Sequence, residues 1–261
     1  MKEMIKQYKE EVKQLVCHKR YFLAMIIVSI LSYGFAITHG TVGIDDTCLD
    51  RYYGDFFSIN MISAGRWGSY LLYKLLNITS FTPFWLDFLT VLVIMATAIL
   101  ISAFIRKNVK KQDIILSTLF SCIYISYPLI NEAFIFQPSN LALFLSNLLT
   151  ILSVIVIYEV ITNKLQKKYY IALLPILAIS ISMYESCCQT FLLGLLICML
   201  LRIFIYQEKE ANLLKYFATG IIVLILSIIL NYAILYMFYS IGVPNELSGG
   251  RTIYWFKVRI K

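Results

Sequence analysis

Residues 169–206 read YYIALLPILAISISMYESCCQTFLLGLLICMLLRIFIY, two apolar runs parted by the polar pair Tyr184-Glu185. As one straight helix the stretch would measure ~57 Å, at 1.5 Å per residue, against a hydrocarbon core of ~30 Å. Two short crossings, Tyr169–Met183 and Ser186–Tyr206, fit a bilayer instead. The split also keeps Lys209 and Lys215 on the side of the other basic connectors, as the bias of Lys and Arg toward the cytoplasmic face requires.

Working outward, five more apolar runs of crossing length appear: Tyr21–Ile37, Phe84–Ile105, Ile114–Ile130, Leu141–Ile161 and Tyr216–Ser240. The expected fold is therefore all-α, a polytopic transmembrane bundle of about seven crossings. Composition agrees, since 60% of residues are hydrophobic and only 15% charged, a balance foreign to water-soluble chains. The net charge of +8 comes from Lys and Arg flanking the apolar runs, which marks topology and not nucleic-acid binding. With the amino terminus inside, sixteen of the 23 basic residues fall on the cytoplasmic side. The expectation is a multi-pass protein of the cytoplasmic membrane with its first loop extracytoplasmic.

Residues 1–20 place Met4, Ile5, Tyr8, Val12, Leu15 and Val16 on one helical stripe among lysines, the pattern of a helix in the cytoplasmic headgroup layer. The membrane domain is expected over 21–241, with an outer loop at 38–83. The short basic tail, 242–261, is too brief for a domain, so a truncated version of something longer is expected.

The outer loop, THGTVGIDDTCLDRYYGDFFSINMISAGRWGSYLLYKLLN over 38–77, is the long polar exception in the chain. Asp45 and Asp46 are adjacent carboxylates near the membrane surface. Their repulsion can leave one protonated, or the pair can share a divalent cation such as Mg2+ or Mn2+ through oxygen ligands. Such a carboxylate suits a general base acting on a hydroxyl; a solvated loop tip is the alternative at this stage. Arg66 and Arg51 are candidates for an anionic ligand, because a guanidinium forks onto phosphate; lipid headgroups are the competing partners. From Arg66 onward, Arg66, Tyr70, Tyr73 and Asn77 oppose a leucine face. That predicts an amphipathic helix on the membrane plane with Trp67 at headgroup depth.

Glu185, with Tyr184 and Gln189, interrupts two apolar runs, and a carboxylate there is costly unless it faces water, a cavity or a partner. Glu132 sits in the outer connector NEAFIFQPSN at 131–140, where polar residues are needed in any case. Six cysteines without CxxC spacing and two separated histidines suggest neither a zinc site nor a disulfide framework. Walker A, GxSxG, HExxH and GxGxxG patterns are absent from the sequence.

In combination, G-I-D-D at Gly43–Asp46, D-R-Y-Y-G-D at Asp50–Asp55, G-R-W-G at Gly65–Gly68 and Y-E-S-C-C-Q at Tyr184–Gln189 resemble the serotype-converting glucosyltransferase family, integral membrane enzymes of the GT-C class. The likeness covers about residues 20–205. It implies a GT-C-like enzyme that moves a hexose, typically glucose, from a polyprenyl-phosphate carrier to a surface polysaccharide such as O-antigen on the outer side of the membrane. It further implies a catalytic carboxylate in the first outer loop, matching Asp45 or Asp46. The physical reading agrees, with Arg66 placed to stabilise the charge that develops on the carrier phosphate. Tyr184, Glu185, Gln189, Glu132 and Trp67 are the candidate substrate contacts. Members are generally longer than this chain. A transporter or lipid flippase using Glu185 and Glu132 is the alternative, although no internal repeat of the transporter kind is visible; an inactive membrane protein is the third reading.

Overall fold

The computed structural model describes residues 2–39, 61–77, 83–109, 113–135, 139–162, 166, 168–207 and 210–241. Ten helices are assigned among them, with no strand: α1 (Lys2–Cys17), α2 (Lys19–His39), α3 (Trp67–Leu75), α4 (Pro83–Asn108), α5 (Ile114–Ile125), α6 (Pro128–Ile135), α7 (Asn140–Ile161), α8 (Tyr169–Met183), α9 (Cys187–Tyr206) and α10 (Glu210–Ser240). Residues 61–63 are helical as well.

Local chemistry explains the boundaries. Proline opens α4 and α6, a position where its missing N–H costs nothing. The Asp113 side chain accepts from Ile115 N at the start of α5. Gln207, at φ 47°, ends α9 in the left-handed conformation.

Five helices, α2, α4, α7, α9 and α10, are long and apolar enough to cross a membrane. The run at Ile114–Ile130, expected as one crossing, is broken into the pair α5 and α6, bent by 41°, which together are apolar enough for a sixth span. Pro128 is the physical reason: it lacks an amide donor and disfavours helical geometry in the residue before it. The stretch 169–206 breaks where its length demanded, with Tyr184 extended at φ −157°, ψ 126°. Its first half, α8, has only 15 residues and so reaches ~22 Å, short of a full hydrocarbon core.

Side-chain contacts distinguish the two ends of the bundle. At one end, Tyr8 and Glu11 of α1 meet Glu159 and Arg106, at the close of α7 and α4. At the other end Tyr73, Leu86, Leu141 and Met183 cluster, joining α3 to the starts of α4 and α7 and the end of α8. Two larger clusters fill the interior. One is built on Tyr158, Leu177, Phe191 and Leu195, the other on Tyr21, Met25, Ile94 and Ile125. Close approach is built in: a Cβ on Gly194 would lie 2.8 Å from Val154, so the α7–α9 contact depends on glycine. Outward faces are apolar, with Leu31, Phe35, Ile225 and Ile229 exposed, the inverse of a soluble surface and the expected dress of a protein in lipid.

The N-terminal helix, expected in the cytoplasmic headgroup layer, is fastened to the bundle. Leu15 is fully buried, Arg106 donates to Glu11 at 2.9 Å, and Lys107 and the Tyr8 hydroxyl each meet Glu159 Oε1 at 2.7 Å. Burial, with the Glu159 carboxylate beside it, pushes the Tyr8 phenol well above its ordinary pKa, so it remains a donor.

A candidate site where the first loop meets the broken crossing

The G-R-W-G segment has a distinct job for each residue. The helical residues 61–63 are closed by Gly65 at φ 82°, with Arg66 N donating to Met61 O at 2.7 Å and Gly65 N to Ile62 O at 2.9 Å. This pair of bonds around a left-handed glycine is a Schellman closure. It reverses the chain and delivers Arg66 to the residue preceding α3. Gly68 then lets α3 lie directly on α8: a Cβ there would collide with Ser182 Oγ and stand 3.0 Å from Ile179 O. Ser69 Oγ donates to Met183 O at 2.8 Å, supplying a partner to a carbonyl at the end of α8.

Arg66 therefore faces the break in the crossing. Its guanidinium carbon is 4.7 Å from the Tyr184 ring centroid, and its Nε is buried without a hydrogen bond among the described residues. A cation resting on an aromatic face with an unsatisfied donor suits an incoming anion, because charge-assisted hydrogen bonds are strongest where water is partly excluded. Glu185 follows Tyr184 and is exposed, and Gln189 is exposed one turn into α9. Thr190 is anchored to Asn147 of α7 at 3.1 Å, which ties the start of α9 to the bundle.

Trp67, expected at headgroup depth, is turned into the protein. It is buried, donates its indole N–H to Asn231 Oδ1 at 2.7 Å, and packs on Leu235 and Phe238. The reason is its position one residue past Arg66: α3 turns the two side chains to different sides, and a polar acceptor on α10 meets the indole. Tyr73 of the expected polar stripe is also buried, whereas Leu71 and Leu75 face outward. α3 thus shows Leu71 and Leu75 outward and presses Trp67 and Tyr73 inward.

Of the remaining candidates, Asp45, Asp46 and Arg51 lie outside the described residues. Glu132 is exposed on α6 and shares no described contact with the Arg66–Tyr184 pair. Among the described residues no three His, Cys, Asp or Glu side chains converge as a metal site.

Two polar groups escaped the sequence reading. Asp87, in the first turns of α4, is fully buried and accepts from Asn140 Nδ2 at 2.8 Å, while Thr90 Oγ1 donates to Asn140 Oδ1 at 3.3 Å. These residues sit beside Leu86 and Leu141 of the cluster that includes Tyr73, so Asp87 belongs to the same end of the bundle as Arg66. Glu159 is the second, fully buried near the close of α7 at the opposite end. The signal was present in both cases: each is a lone carboxylate inside an apolar run, where charge is expensive and needs a partner.

A bundle with lipid-facing outer surfaces, five crossing-length helices and polar residues gathered at its ends defines a multi-pass membrane protein. The chain belongs to the glucosyl transferase GtrII family, whose model matches residues 34–251. Membership makes it a membrane glycosyltransferase, working between a sugar donor and a glycan acceptor, and agrees with the resemblance read from the sequence motifs. No curated protein and no solved structure matches the chain.

Proposed function

We propose that the chain transfers a hexose, glucose, from a polyprenyl-phosphate donor to a cell-surface glycan on the extracytoplasmic side of the cytoplasmic membrane. The GT-C type of mechanism suits this. Asp45 or Asp46 accepts the proton of the acceptor hydroxyl, the hydroxyl oxygen bonds to the anomeric carbon, and the bond from that carbon to the carrier phosphate breaks. Arg66, aided by Arg51, meets the phosphate charge as it develops. Tyr184, Glu185, Gln189 and Glu132 are the proposed substrate contacts. A divalent cation, Mg2+ or Mn2+, held by Asp45 and Asp46 belongs to the same proposal.

The single observation that supports it best is the Arg66 guanidinium, seated on Tyr184 at the polar end of an apolar bundle with an unsatisfied buried Nε. The basic residues of α1, with Arg106 and Lys107, gather at the opposite end, which supports placing the Arg66 end outside. Membranes carrying the chain should move hexose from polyprenyl phosphate to glycan, and Asp45→Asn or Asp46→Asn should abolish transfer with protein levels intact. Undiminished transfer in both variants would remove these carboxylates from the chemistry. Retention of activity after exhaustive chelation would remove the cation.

A further inference from the structure

A cavity of about 490 Å3 opens between α1 and the flanks of α4 and α7, at the end of the bundle opposite Arg66. Its floor is apolar, formed by Leu100, Leu152, Ile155 and Val156, and its α1 wall carries Lys9 and Lys13 beside the apolar stripe of that helix. Leu152 and Val156 lie five to nine residues before the end of α7, so the floor extends ~8–14 Å in from the helix terminus. α1 cannot drift off this groove freely, because Leu15 is buried and the Glu11–Arg106 and Tyr8–Glu159 bonds hold the helix in place. Lys9 and Lys13 are exposed and have no ion-pair partner among the described residues, and neither Glu10 nor Glu11 lines the groove.

We propose that this groove binds one anionic phospholipid, with an acyl chain along Leu152 and Val156 and the headgroup phosphate between Lys9 and Lys13. Charge selects the occupant. Lys9 and Lys13, one helical turn apart and exposed, line the groove with their alkyl stems and carry their ammonium groups beyond its apolar wall, which matches a hydrocarbon tail joined to an anionic head and disfavours a zwitterionic lipid. The lysines act as point charges that follow a mobile phosphate, and the floor supplies the apolar contact that a purely electrostatic surface lacks. The site stands apart from the proposed transfer chemistry and is tested without it.

The test uses the whole protein, purified in detergent and stripped of lipid, titrated with phosphatidylglycerol or phosphatidylcholine, with bound lipid counted by native mass spectrometry. The wild type is expected to take up one phosphatidylglycerol on the order of tenfold more tightly than phosphatidylcholine, from one to two lysine–phosphate contacts. K9Q/K13Q should bring phosphatidylglycerol down to the phosphatidylcholine level, while Lys215→Gln, a basic change away from the groove, should leave the preference intact. Leu152→Trp, at a half-exposed position where the larger ring fills the groove without invading the core, should remove the high-affinity site for either lipid. Equal binding of the two lipids by the wild type would overturn the proposal. So would undiminished phosphatidylglycerol binding in K9Q/K13Q or in Leu152→Trp.

Discussion

The guanidinium of Arg66 rests on the ring of Tyr184, 4.7 Å from its centroid, and so joins the first polar segment to the break in a later crossing, 118 residues along the chain. Neither residue could be brought there by local sequence alone. The contact needs the Gly65 closure on one side and the extended backbone of Tyr184 on the other. If Arg66 meets an anionic donor, Arg66→Ala should lower kcat/KM for transfer by roughly ten- to a hundredfold, the worth of one charge-assisted hydrogen bond. Arg66→Lys should fall in between, because an ammonium keeps the charge and loses the planar fork. Tyr184→Leu should reduce activity by up to about tenfold through loss of the aromatic seat. Kinetics on membranes with matched protein levels would decide, and an Arg66→Ala variant with wild-type kcat/KM would refute the role.

Gly68 makes a separate prediction about the same end of the bundle. Gly68→Ala would drive a Cβ into Ser182 Oγ and against Ile179 O and Met183 Cγ, at 3.0 and 3.1 Å. Overpacking of this kind costs typically 1–3 kcal/mol, and here it would also lift α3 from α8 and shift Arg66. The melting temperature in detergent should fall together with transfer activity. Adding Ser182→Ala should restore part of the loss and not all, since the Ile179 carbonyl is backbone and cannot withdraw.

Much of this was legible in the sequence, for reasons that differ from element to element. The break at Tyr184-Glu185 followed from length and from the placement of Lys209 and Lys215, whereas G-R-W-G entered only as a motif of the resemblance and its turn did not show in the sequence. The bend at Pro128 was missed because the apolar run continues through it, and hydropathy does not register a lost amide donor. The burial of Trp67 was not legible, because its partner Asn231 is 164 residues distant, beyond the reach of any periodicity. Asp87 and Glu159 were passed over because each is one charge in a run that is otherwise apolar. What makes them informative, burial with specific partners, belongs to tertiary structure.

The Trp67–Asn231 bond gives a third prediction. Trp67→Phe should leave Asn231 Oδ1 without its donor and cost about 1–3 kcal/mol, and Asn231→Leu should strand the indole N–H at a similar cost. The double variant should be less destabilised than the two singles added together, with a coupling of about 1 kcal/mol. Additive losses in denaturant titrations would show that the bond contributes nothing beyond packing.

The Glu159–Lys107 pair completes the set, at the end remote from Arg66. Both side chains are nearly inaccessible, with 0% and 8% exposure, and the Tyr8 hydroxyl shares the same Glu159 oxygen. In so dry a setting the pair itself is a weak source of stability, because desolvating two charges offsets most of their attraction. Removing one partner is different, since the buried Glu159 carboxylate then loses its ammonium and keeps only the Tyr8 hydroxyl and its other contacts. Lys107→Met should therefore destabilise by about 3–5 kcal/mol. The double variant Lys107→Met/Glu159→Leu should recover much of that loss, as apolar replacements for buried ion pairs often do. Tyr8→Phe should cost only about 1 kcal/mol, one hydrogen bond in a site whose charges stay paired. Titration of folded protein with a denaturing detergent would rank the three variants. A Lys107→Met variant no weaker than Tyr8→Phe would show that the Lys107 ammonium contributes no more to this site than one hydrogen bond.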